Sequence, residues 1–141
     1  PLVKLKIIYE KVQGLIENHH PTACAIETPF YGKNVQSMLK LGRAQGVAIA
    51  SALTSQVPVF EYSPKKIKQS VTGNGNASKE QVAAMLQHLC HFELQPKFLD
   101  ATDGLAAALC HHFQSGPTQA STPGKAKGWA EFVKQNPKRV K

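Results

Sequence analysis

Asp100 and Asp103 stand three residues apart in a stretch, 100–109, dominated by Ala and Leu. Ala and Leu are strong helix formers. The spacing therefore predicts both carboxylates on one helical face, with Cβ atoms about 5–6 Å apart. Like charges that close repel, and a retained pair needs either a positive partner or one protonated member. Two readings compete here: a cation held by the pair, or an Asp N-cap with an acidic first turn that suits the helix dipole. Glu27 supplies a third carboxylate. It closes a short apolar run, 22–27, that reads as a buried strand, and Pro29 stops further pairing. Ligands of open α/β sheets bind beyond the carboxyl ends of strands, which places Glu27 for a site. The alternative is a surface carboxylate where the strand emerges. If the three converge, hard oxygen ligands with open positions suit Mg²⁺ or Mn²⁺. Two such ions activate water and stabilise the leaving oxygen in phosphodiester cleavage.

These carboxylates need a frame. Leu5, Ile8, Val12, Leu15 and Ile16 form a helical stripe over 2–18, ended before Pro21. The strand 22–27 follows. A long helix is predicted over 34–55, with Val35, Met38, Leu39, Gly42, Ile49 and Leu53 on its buried side. Gly42 and Gly46 are four apart, and glycine weakens a helix, so another element is expected to approach closely there. A second strand is read at 58–62. Ser63 and Pro64 then open a short helix over 65–71, with Ser as N-cap and Pro at the first helical position. Ser78 and Gln81 form a capping box, followed by the apolar side Val82, Met85, Leu86 and Leu89. The Asp-bearing helix comes last, over 99–114, with Leu99, Leu105 and Leu109 on its apolar side. Alternating strands and helices make this an α/β fold.

The chain has 141 residues, enough for one domain with a core of its own. Its net charge is +8, and residues 116–141 hold six Lys/Arg against one Glu. This biased, basic balance points to a polyanionic partner, nucleic acid before membrane. Lys65, Lys66 and Lys68 precede a Gly/Asn-rich loop and fit either a solvated face or a groove for a phosphate backbone. Phe30 and Tyr31 beside Gly32 and Lys33 either stack on bases or pack beneath their loop. Three cysteines, Cys24, Cys90 and Cys110, argue against a disulfide framework and for a reducing compartment. All three sit among apolar neighbours in the sequence, as small hydrophobes do. His88, Cys90 and His91, or Cys110, His111 and His112, lack the paired spacing of a zinc module. No stretch reaches the length of a membrane span. Two segments result: a domain at 1–115 and a flexible basic tail at 116–141.

Four blocks carry a more specific signal: AIETPF at 25–30, KLGRAQGVAIA at 40–50, PVFEYSPKKIKQSVTGNGNASKEQV at 58–82, and DATDGLAAALCHH at 100–112. In this order and spacing they resemble the RuvC family of crossover junction endodeoxyribonucleases. These are bacterial Holliday-junction resolvases of the RNase H-like, retroviral-integrase superfamily. The resemblance implies an RNase H-like mixed sheet flanked by helices. It assigns Glu27, Asp100 and Asp103 to a metal-binding acidic quartet, as catalytic residues holding two Mg²⁺ or Mn²⁺ ions. It assigns Phe30 to the junction centre, and Lys68 and Lys79 to DNA handling and catalysis. It further implies a cytoplasmic homodimer with two symmetric sites, paired nicks in a four-way junction, and work beside RuvA and RuvB, away from membranes. The family's fourth carboxylate is an Asp on a first strand, in an IDPG-like motif, and nothing in 1–141 matches it. The N-terminal strands are thus expected to be absent, leaving this chain alone inactive and poorly stable. A non-catalytic junction-binding module is the alternative, and an unrelated basic domain with an Asp helix start is a third.

Overall fold

The computed structural model describes residues 2–29, 32, 34–93, 95 and 99–115. The element order is α1 (Leu2–His19), β1 (Cys24–Glu27), α2 (Val35–Thr54), β2 (Val59–Tyr62), α3 (Pro64–Thr72), α4 (Lys79–Cys90) and α5 (Leu99–Ser115). Phe30 and the 116–141 tail lie outside the described residues.

β1 and β2 pair in parallel, in the register Cys24↔Val59 through Glu27↔Tyr62. Parallel strands need a long crossover, and α2 provides it. The ladder is extended at both ends, by Cys24 N–H donating to Pro58 O and Thr28 N–H donating to Tyr62 O, each at 2.9 Å. The two carboxyl ends, Glu27 and Tyr62, are therefore held side by side.

The helices start and stop where their caps dictate. Asn34 accepts from Ser37 N–H, and Ser63 from Lys66 N–H, with Pro64 opening α3. Gly73 ends α3 in the left-handed region at φ +79°, its N–H bonded to Gln69 O. A side chain there is strained, which is the reason for glycine. The capping box at Ser78 forms in both directions.

The core joins α3, α4 and α5. Ile67, Val71, Ala77, Val82, Leu86, Ala106, Ala107 and Cys110 are buried together, with Ala25 and Tyr62 of the sheet packed against them. A second contact joins α1 to α2. Gln13 Nε2 donates to Ser51 O at 2.8 Å and Ser51 Oγ at 3.0 Å, and Ser51 Oγ donates to Tyr9 O at 3.1 Å. Ser55 Oγ donates to Gln13 Oε1 at 3.0 Å, so the buried hydroxyl of Ser51 belongs to a satisfied network.

Several expectations change. Val35, Leu39 and Leu53 are exposed rather than buried, because the tight part of α2 lies at Ser51 and Ala52, where α1 crosses. A Cβ on Gly42 or Gly46 would meet nothing within 4 Å among the described residues, so none of these approaches closely enough to explain the glycines. On α5 the deepest positions are Thr102, Ala106, Ala107 and Cys110, with Leu105 and Leu109 at the margin. Small residues there let the helix sit close to the sheet and α3. Leu15, Leu89 and Cys90 are exposed, whereas Cys110 is buried as expected.

Candidate active site

Glu27, Lys68, Lys79 and Asp103 line one cavity of about 250 Å³, with Ile67 and Val82 among its apolar walls. Each polar group arrives by a different element. β1 ends on Glu27, α3 carries Lys68, α4 opens with Lys79, and α5 carries Asp103 one turn after its first acidic residue. The core described above fixes these elements relative to one another.

The local supports are specific. Gln45 Nε2, from α2, donates to Glu27 O at 2.8 Å. Thr28, the next residue, ties itself to Tyr62 O through its N–H at 2.9 Å and its hydroxyl at 3.4 Å. The backbone around Glu27 is thus held from two sides. Lys79 is the first residue of α4, and its direction is set by the box in which Ser78 and Gln81 exchange bonds of 2.8 and 3.1 Å. Thr72 Oγ1 donates to Lys68 O at 2.8 Å.

Two carboxylates and two lysines share the cavity, and their charges act on one another. Burial first, and then the negative charge of Asp103, push the Glu27 carboxyl above its ordinary range. Lys68 and Lys79 oppose that rise without cancelling it. Lys79 Nζ is 3.5 Å from Asp103 Oδ2, with both side chains about half exposed (53% and 55%). Two carboxylates lining one cavity, one of them destabilised by the other, are hard oxygen donors of the kind that fits a divalent metal ion.

The predicted residues do not all meet. Glu27, Lys68, Lys79 and Asp103 share the cavity. Asp100 is exposed on the first turn of α5 and is not among the cavity's lining residues. Among the described residues no three His, Cys, Asp or Glu side chains gather as a metal-holding group, so the expected convergence of Glu27, Asp100 and Asp103 is not formed by all three. Gln45 is the contributor that spacing and composition missed. It lies within a recognisable block, but nothing in a sequence marks a side chain that bonds to a strand carbonyl eighteen residues away.

Among the described residues no helix is long and apolar enough to cross a membrane. The family profile described as crossover junction endodeoxyribonuclease RuvC matches residues 2–111. The crossover junction endodeoxyribonuclease RuvC of Cytophaga hutchinsonii is 61% identical over 139 residues, covering 99% of this chain and 68% of that protein. The protein of the same name from Christiangramia forsetii is 62% identical over 140 residues, covering 99% and 71%. Among solved structures, Thermus thermophilus RuvC in complex with Holliday junction substrate superposes with a TM-score of 0.73 at 32% identity, over 81% of this chain and 70% of that one. The structure of Thermus thermophilus RuvC gives 0.68 at 32% identity, over 77% and 66%.

Proposed function

The chain belongs to the RuvC family of crossover junction endodeoxyribonucleases, and from that premise we propose that it resolves four-way DNA junctions by metal-dependent phosphodiester hydrolysis at the Glu27–Asp103 cavity. It is a nuclease of the Holliday-junction-resolving type, with roles in recombination and repair. The observation that carries the site assignment is the gathering of Glu27, Asp103, Lys68 and Lys79 around one cavity at the carboxyl end of β1.

In this reading Glu27 and Asp103 would hold the metal; the family resemblance adds Asp100, one turn earlier on α5 and outside the cavity's lining. Mg²⁺ is the expected ion, with Mn²⁺ as a substitute, and two ions per site suit the cleavage chemistry. When bound, the metal activates water and offsets charge on the leaving oxygen. The chain's own residues supply the rest. Lys79 and Lys68 offer positive charge at the rim, where a phosphate backbone would lie. Gln45 and Thr28 keep the Glu27 carboxylate aimed by fixing its backbone. Ile67 and Val82 form an apolar wall beside Glu27, whose carboxyl is the one raised chiefly by burial.

Phe30, three residues beyond Glu27, is proposed to act at the junction centre, and 1–115 to be the nuclease domain with a basic DNA-contacting tail at 116–141. A homodimer would place two such sites on the two like strands of a junction, in company with RuvA and RuvB.

The test is selectivity. The full-length protein, this chain preceded by the Asp-bearing first strand that the resemblance leads one to expect, is mixed with a mobile four-way junction or a linear duplex of the same sequence, with Mg²⁺ or with chelator. Paired symmetric nicks in the junction, only with the metal, support the reading. Binding without cleavage under every metal condition favours a junction-binding module instead.

A further inference from the structure

Two side chains outside the cavity join α5, which carries Asp103, to β2, the strand paired with the Glu27-bearing β1. The Tyr62 hydroxyl, on β2, lies 2.6 Å from His111 Nδ1, on α5. The His111 ring also stacks on Phe60, with centroids 4.4 Å apart and planes 28° from parallel. Phe60 and Tyr62 are two apart on one strand and so share a sheet face, and α5 lies on that face. We infer that the Tyr62–His111 pair is a positioning device for cleavage, locking α5, and with it Asp103, against the strand pair that carries Glu27. The inference rests on the assignment of Glu27 and Asp103 to the active site.

The connections run in both directions. Tyr62 is the register partner of Glu27, and its carbonyl accepts both bonds from Thr28. His111 stands eight residues after Asp103 on the same helix, about 12 Å along its axis. A hydrogen bond and a ring stack at that distance fix both the slide and the rotation of α5. Ala106, Ala107 and Cys110 bury α5, and Cys110 Sγ and Gln114 Nε2 tie it to Ser70 Oγ of α3 at 3.2 and 3.4 Å, whereas the Tyr62–His111 contact ties it to the strand pair. Burial, and to a lesser extent the Cys110 thiol, keep the Tyr62 phenol above its ordinary range. The phenol therefore stays protonated; it donates to a bare Nδ1 or accepts from Nδ1–H according to the imidazole tautomer. Because catalytic groups must be held within about 0.5 Å, a small slide of α5 is costly to the chemistry and invisible to DNA binding.

The test uses the full-length protein and measures two quantities: the cleavage rate at saturating junction, and junction affinity. Tyr62→Phe removes only the hydroxyl. His111→Leu removes the ring nitrogen, and His111→Asn returns an amide, able to accept or donate, near the place of Nδ1. Tyr62→Phe and His111→Leu are each expected to slow cleavage about tenfold, with affinity unchanged. The double variant should be no slower than either single one, since both break one interaction. His111→Asn should recover most of the rate. The inference is overturned by Tyr62→Phe cutting at the parental rate, or by His111→Asn being as slow as His111→Leu. If His111→Leu does not fold, the comparison of Tyr62→Phe and His111→Asn with the parent decides. Glu27→Gln is measured alongside. Parental cutting by that variant overturns the site assignment and this inference with it. Lost cutting there, with a normal rate in Tyr62→Phe, overturns this inference alone.

Discussion

The Lys79 ammonium reaches from the first residue of α4 to within 3.5 Å of the Asp103 carboxylate on α5. The pair is about half exposed on both sides, so its contribution to stability is about 0–1 kcal/mol. Its position at the rim of the cavity gives it more weight in chemistry than in folding. Lys79→Met is expected to leave the melting temperature nearly unchanged while slowing junction cleavage roughly 10- to 100-fold. Thermal melts and cleavage rates on the same preparation check this. A large fall in stability with cleavage intact would reverse the assignment of roles.

Glu27 makes a pH-dependent prediction. Burial and the Asp103 charge raise its carboxyl above the ordinary range, so the folded chain binds this proton more tightly than the unfolded chain. Stability from this group is full below the ordinary glutamate value. It is lost as pH rises through the window between that value and the raised one. Glu27→Gln removes the charged form. In metal-free buffer the variant should melt above the parent at neutral pH, and the gap should close below about pH 4. A gap that is constant across pH would show that Glu27 is not held against its charge.

Gln45 bonds to the Glu27 carbonyl at 2.8 Å. Gln45→Leu leaves that carbonyl to find another donor, at a cost of about 1 kcal/mol. Cleavage should fall several-fold, because the strand end that carries the carboxylate is freed, while junction binding persists. Gel shifts and cleavage assays separate the two effects.

The fold was legible wherever a cap or a breaker stood in the sequence. Pro21, Asn34, Ser63–Pro64 and Ser78–Gln81 mark helix ends that the structure places within a residue or two. Burial was less legible, because periodicity ranks faces without saying what lies opposite. Leu39 and Leu53 fit an apolar stripe on α2 and are exposed, while Ser51 and Ala52 are buried because α1 meets the helix there. In the site, Glu27 and Asp103 were visible as carboxylates at a strand end and a helix start. Gln45 and the Tyr62–His111 pair were not visible, since their partners are 18 and 49 residues away and only the folded chain brings them together. The family resemblance assigns Asp100 a metal role, yet its side chain is exposed and outside the cavity that Glu27 and Asp103 share. The i, i+3 spacing keeps the two aspartates on one side of α5 without making both face β1.

The central claim is that the carboxylates Glu27, Asp103 and Asp100 serve cutting and not binding. The most direct measurement compares Glu27→Gln, Asp103→Asn and Asp100→Asn with the parent in the full-length protein, following four-way junction affinity and Mg²⁺-dependent nicking in parallel. Each variant is expected to bind the junction at least as well as the parent, having lost a negative charge near the phosphates, and to nick it at least about 10³-fold more slowly. Parental nicking by Glu27→Gln or Asp103→Asn would contradict the account, and parental nicking by Asp100→Asn would remove that residue from the metal site.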